Sequence, residues 1–218
     1  SGRRMRLVGK RFILLLSLLF ISSMSMYAQS RYTILDDTLT LDMTIEEPGY
    51  EFDGDLDEYD EDEVLSYLFD NPEVTKLRVT GPGGSMYAAN TIAEYLVRHN
   101  IDTEAFGICN SACAHIFLGG RTRTLLPDAK LGFHRTWLNK ERAKKRYATA
   151  RVEKGWKDEF DYAEVLYDSA MTSMLYYIKF MLSRGVDLEF ILKVFSTDSF
   201  DIWHPSREEL LEAGVVNQ

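Results

Sequence analysis

The chain has 218 residues, 45% of them hydrophobic and 27% charged. That is room for one domain plus a short tail, and it excludes a disordered, collagen-like or low-complexity protein. The formal charge of −9 argues against sequence-independent nucleic-acid binding, and two cysteines exclude both a disulfide-rich scaffold and a self-contained four-cysteine zinc site.

Residues 1–30 stand apart. Arg3, Arg4, Arg6, Lys10 and Arg11 come with no acid, an apolar run from Phe12 to Ile21 follows, and small residues lead to Ala28 and Ser30. These are the three parts of a secretory signal peptide, with a cut expected near Ala28 or Ser30. The apolar core is short for a spanning helix, which needs about 20 residues; an uncleaved signal anchor is the alternative. Without this segment 20 Lys and Arg face 34 Asp and Glu, a formal charge of −14. The expectation is an acidic, exported protein, periplasmic or secreted, in contact with a membrane only if the signal stays. Export permits disulfides.

The remainder, 31–218, reads as a single domain. Leu39 to Ile45 alternates cleanly and predicts a strand. Residues 51–63 (EFDGDLDEYDEDE) are an acid run. Their spacing does not meet the EF-hand loop, because Gly54 comes too early. They read as a solvated loop leading into a helix over 64–69, whose N-terminus favours negative charge. Asn71-Pro72 stops that helix. A strand over 74–80, a helix over 86–99, a strand over 101–107 and a tight turn at 109–113 follow. A helix from Ala112 to Leu118 ends at Gly119-Gly120, and short strands are expected over 122–126 and 130–133. Residues 138–160 form a charged insertion, read as a solvated helix, with a mobile arm or lid as the alternative. A helix over 161–182 is too apolar for one stripe to hide, and is either a core helix or an oligomer face. Two shorter helices are expected over 187–194 and 205–213. Strands alternating with helices suit a layered α/β domain.

Four segments carry chemistry. Gly81-Pro82-Gly83-Gly84 lies between a strand and a helix, where glycine leaves backbone amides bare to hold an oxyanion; an ordinary turn is the bland reading. It fits no nucleotide-binding glycine pattern. Ser111 sits at a strand-to-helix junction, with the Ala112 N–H beside it. It is either an exposed nucleophile or a helix N-cap. His134, at the end of a strand, can take a serine proton and return it. Asp201 can orient that imidazole, and Asp198 competes for the role. His115, four residues after Ser111, shares its helix face and reads as a packed histidine rather than a base. Cys109 and Cys113, flanking Ser111, allow a disulfide; inert thiols or a thiol nucleophile are the alternatives.

Together these segments resemble the Clp protease proteolytic subunit and its relatives in the ClpP/crotonase superfamily, over roughly residues 34–135 and again near 160–217. Gly81 to Gly84 stands where that family has a glycine pair before a helix. The ending Glu208 to Val216 (EELLEAGVV) matches the family's closing helix, and the C-x-S-A-C and F-L-G-G stretches resemble a secreted subgroup of it. The resemblance implies a spiral of ββα units with additional C-terminal helices. It also implies a serine peptidase with Ser111 as nucleophile, His134 as general base and acid, Asp201 as orienter, and the amides of Gly84 and Ala112 as oxyanion hole. It implies no cofactor and no metal, a peptide or protein substrate, and a homo-oligomer. The charged insertion lengthens the path from His134 to the acid beyond the family pattern. Signal-peptide peptidases of the superfamily use a Ser–Lys pair; no lysine here sits at an obviously matching place, Lys144 and Lys145 being the ones left open. The remaining expectations are a non-catalytic binding or scaffold protein on the same fold, and a crotonase-type acyl-thioester enzyme.

Overall fold

The computed structural model describes residues 30–45 and 55–218. The signal-like stretch over 1–29 and the acids at 51–54 lie outside the described residues. The described part is mixed α/β, with six strands in one mostly parallel sheet and seven helices.

β1 (Tyr32–Leu35) and β2 (Thr38–Asp42) form an antiparallel hairpin across Asp36 and Asp37. The chain then passes through α1 (Glu58–Asp70) into β3 (Lys76–Gly81), which pairs parallel to β2. α2 (Met86–His99) crosses over to β4 (Asp102–Asn110), parallel to β3. Parallel neighbours need such crossovers, and the helices cover the sheet. Leu77, Val79 and Ala105 in the strands and Ala88, Ala89, Ile92, Ala93 and Leu96 on α2 are fully buried. Each large aliphatic side chain so buried contributes about 1.5–3 kcal/mol.

β4 is longer than the sequence predicts and, on the edge away from β3, pairs with two strands. Thr103 to Ala105 pair with β5 (Arg123–Leu125), and Ile108 to Asn110 pair with β6 (Lys130–Gly132). The expected turn over 109–113 therefore shrinks to Ser111. α3 (Ala112–Leu118) starts immediately after it, with every residue buried. Thr103 Oγ1 donates to the Phe117 carbonyl at 2.7 Å and ties α3 to β4.

The acid run departs from its solvated reading. Asp57 caps α1 by accepting from the Tyr59 and Asp60 N–H groups, and Asp60 completes a capping box. Asp60 is itself buried, 2.8 Å from the Arg31 guanidinium, and accepts from the Tyr32 hydroxyl. Burial raises the Asp60 carboxyl above its ordinary range, against the pull of Tyr32 and Arg31.

The second half is helical: α4 (Lys140–Lys154), α5 (Glu159–Ser183), α6 (Leu188–Ser196) and α7 (Arg207–Glu212). α4 buries no residue, as expected for a solvated charged helix. α5 differs from the core-helix reading. It buries Tyr162, Tyr177, Phe180 and Met181, while Val165, Tyr167, Met171, Met174 and Leu175 face solvent. Arg123 locks the chain's end to the sheet: its buried guanidinium donates to the carbonyls of Val215, Gly214, Gly120 and Arg184 at 2.7–3.2 Å.

Candidate functional site

Ser111 occupies the first position before α3, where an N-cap serine would have extended backbone and bond an amide of the first turn. It does neither. Its φ is 54° and ψ −118°, and its side chain makes no capping hydrogen bond. Positive φ on a residue with a Cβ costs on the order of 1–3 kcal/mol and persists only where the surroundings impose it. Here they do. The Ser111 N–H donates to the Gly132 carbonyl at 2.8 Å, and its carbonyl accepts from the His115 N–H at 3.1 Å. The Cys109 and Cys113 sulfurs are bonded to each other, with Cα atoms 5.2 Å apart, which closes a ring around the turn. A sharp, strained strand-to-helix turn carries the nucleophile in α/β-hydrolases, although their G-x-S-x-G pattern is not met here, with Cys109 and Cys113 at the glycine positions.

The glycine loop lies against this turn. A Cβ on Gly83 would stand 2.8 Å from the Ser111 Cβ and 3.0 Å from the Ala112 nitrogen, and the Gly83 φ is 112°. Gly84 (φ 134°) is pressed against the Leu56 backbone on its other side. There the Leu56 N–H donates to the Gly83 carbonyl at 2.6 Å, and the Ser85 N–H donates to the Leu56 carbonyl at 2.7 Å. In this parallel pairing the flanking groups of residues 83 and 85 engage Leu56, so the N–H of Gly84 faces the opposite side. Neither glycine can be replaced without moving backbone.

His134 follows β6. It is flanked by Phe133, which exchanges two 2.9 Å backbone hydrogen bonds with Trp203, and by Arg135, whose N–H donates to the Thr197 carbonyl at 3.3 Å. The 197–203 loop is thereby laid alongside it. The His134 imidazole lines one pocket with Ser111, and Met86, Met181, Val194 and Phe195 form apolar walls there. Burial depresses its pKa, against the opposite pull of the nearby Ser199 and Arg135 backbone. The neutral ring, the form that accepts a proton, is favoured.

The acids do not complete a triad. Asp201 is exposed, and its own N–H bonds the Asp198 carbonyl at 3.2 Å. Asp198 turns outward to pair with Arg135 at 2.7 Å. No carboxylate is bonded to His134, whose Nδ1 is buried without a partner. The structure thus brings Ser111, His134 and the glycine loop together and leaves Asp201 outside. Lys144 lies on exposed α4 and pairs with Glu141. Among the described residues no group of three or more His, Cys, Asp and Glu side chains is placed to hold a metal.

Three features escape the sequence reading. The pocket walls from α5 and α6 carry no local signal. Asn110, next to Ser111, lies 3.0 Å from His204 Nε2 through its Oδ1. His115 is packed as expected, yet it also lines the pocket. No protein-family model and no curated protein matches the chain.

Proposed function

We propose that the chain is an exported serine hydrolase acting on peptide bonds, on a fold of the ClpP/crotonase kind. The observation that carries this reading is the backbone of Ser111, strained to φ 54° with its hydroxyl withheld from capping α3. A serine kept only for helix capping would have no reason for either property. In the proposed reaction His134 takes the Ser111 hydroxyl proton as Oγ attacks the carbonyl carbon. The negative charge on the carbonyl oxygen meets the N–H groups of Ala112 and Gly84. His134 then gives the proton to the departing amine. Water, deprotonated by the same imidazole, releases the acid and restores the serine. No metal or organic cofactor enters.

Several features support the wider reading. The mostly parallel sheet, with crossover helices and a strand shared between β5 and β6, is compatible with a spiral of ββα units. The bond between Cys109 and Cys113 suits an oxidising compartment. The uncovered apolar residues of α5 suit a homo-oligomer. A second reading, a binding protein that keeps the fold without turnover, is favoured by one observation: no carboxylate orients His134.

Labelling by a fluorophosphonate separates the two. The wild type is expected to react, and Ser111→Ala and His134→Gln to lose about 1,000-fold or more in labelling rate while remaining folded. A folded wild type that does not react rejects the hydrolase and leaves the binding protein.

A further inference from the structure

α5 is 25 residues long, yet the body of the protein covers little of its middle. Tyr162, Tyr177 and Phe180 turn inward and are buried. On the other side Tyr167, Met171 and Met174 stand 70%, 46% and 36% exposed, and Ile178, half-buried, continues their line. These four follow one another at spacings of four, three and four residues, the a and d positions of a heptad. A stripe of that period is the narrow seam along which one helix packs on another. Leu175 and Leu182, also exposed, widen it on one flank. The same flank carries Glu164, Asp168 and Lys179, all exposed and in no ion pair among the described residues.

We propose that this face of α5 packs antiparallel on the same face of a second copy of the chain, about a two-fold axis that passes between Thr172 and Ser173. The proposal rests on the homo-oligomer reading above and is independent of the role of Ser111. The axis is the centre of the apolar seam: Tyr167 of one copy comes level with Ile178 of the other, and Met171 with Met174. The charges share that centre. The same axis sets Lys179 of one copy midway between the levels of Glu164 and Asp168 of the other, about 3 Å along the helix from each and on the same flank. A two-fold axis repeats the contact, so each lysine meets two acids. A foreign partner would not require the seam and the charges of one helix to have a common centre. Within one chain these charges cannot meet, because Lys179 lies about 16 Å further along the helix than Asp168. α5 also walls the Ser111 pocket through Tyr177 and Met181, so the pair backs that wall from outside.

Light scattering and sedimentation over a range of protein concentrations test this. The wild type is expected to form an even-numbered assembly. Met171→Glu buries a charge in the seam and should raise the dissociation constant of this contact about 100-fold or more. The residue is exposed in the single chain, and cooperative unfolding checks that the variant is folded. Lys179→Glu sets like charges against each other and should weaken the contact about tenfold. Adding Glu164→Lys and Asp168→Lys to Lys179→Glu reverses every charge of the pairing and should return the constant to within about threefold of the wild type. A rescue of that kind must act between copies. A monomeric wild type overturns the pairing together with the homo-oligomer reading, and one that also floats with phosphatidylglycerol vesicles assigns the face to a membrane instead. An assembly that survives Met171→Glu, has an odd number of copies, or is not rescued by the reversed charges overturns the α5 pairing alone and leaves the oligomer to another face. Fluorophosphonate labelling judges the hydrolase separately in each case.

Discussion

The turn at Ser111 and the loop at 197–203 face the same histidine but are built differently. The turn is held by a disulfide, by a backbone bond to Gly132, by the glycine loop pressed against it, and by a helix with every residue buried. The loop meets His134's strand through the bonds at Trp203 and Thr197; Phe200 is 83% exposed, and its carboxylates point outward. One half of the site is built into the core, and the other rests on the surface. Strain can be stored where packing over-determines the backbone, and a surface loop has no such means. The geometry of Ser111 therefore belongs to the fold, whereas the surroundings of His134 depend on a region that opens at lower free energy.

The largest expected effect tests the rigid half. Gly84→Ala forces a Cβ into the Leu56 backbone at a positive φ, and should cost about 3 kcal/mol or more of stability. Chemical denaturation reads this, and an unshifted midpoint would show that the loop is not braced as described.

Acid comes next. Burial lowers the His115 pKa to about 3, against about 6.5 in an unfolded chain. Below about 6.5 the unfolded chain takes up a proton that the folded chain refuses, so stability is full above that pH and falls toward the folded value, by up to about 3 kcal/mol at pH 4. Asp102 and Glu104, held low despite burial by Arg121 and by Lys76 and Arg78, act in the same direction, whereas the raised Asp60 and Glu61 oppose it. Comparing urea midpoints at pH 7 and pH 4 for the wild type and His115→Phe isolates the histidine's share, and equal losses in both proteins would contradict it.

Replacing both cysteines by serine opens a loop of only a few residues, so about 2 kcal/mol should be lost. The turn should also relax, with slower fluorophosphonate labelling than the thermal shift alone explains. The smallest effect tests the loose half. Asp201→Asn removes a surface carboxylate that holds nothing at His134, so labelling should change less than threefold and stability by no more than about 0.5 kcal/mol. An acid that truly oriented the base would cost about 10,000-fold. A large loss would mean that the 197–203 loop turns inward when the probe reacts.

The order of strands and helices was legible because local patterns carry it: apolar runs ended by Asn71-Pro72, by Gly81-Pro82 and by Gly119-Gly120. The glycine loop and Ser111 were legible through their order along the chain with His134, because singly a glycine pair or a serine at a helix start is commonplace. Other features depend on distant partners. Asp60 looks like one more solvated acid until Arg31 and Tyr32 are brought to it. The continuation of β4 through Asn110 is set by β6, over twenty residues later. The apolar content of α5 shows that much of it needs cover, but not whether this chain supplies that cover. Which way Asp198 and Asp201 point is decided by Arg135 and by a bend of a few residues, below the reach of spacing or composition.

The buried pair of Arg31 and Asp60 makes the start of the domain chemically exacting. Arg31 holds the first turn of α1, and Leu56, just before that turn, holds Gly84. Processing at Ser30 or earlier leaves this chain of contacts whole. Trimming a single residue further removes the guanidinium, leaves the buried Asp60 carboxylate with only the Tyr32 hydroxyl and the Asp57 N–H, and loosens the brace behind the glycine loop. The chain from Arg31 onward is thus tied, through Asp60 and Leu56, to how well the glycine loop on the far side of the sheet is held.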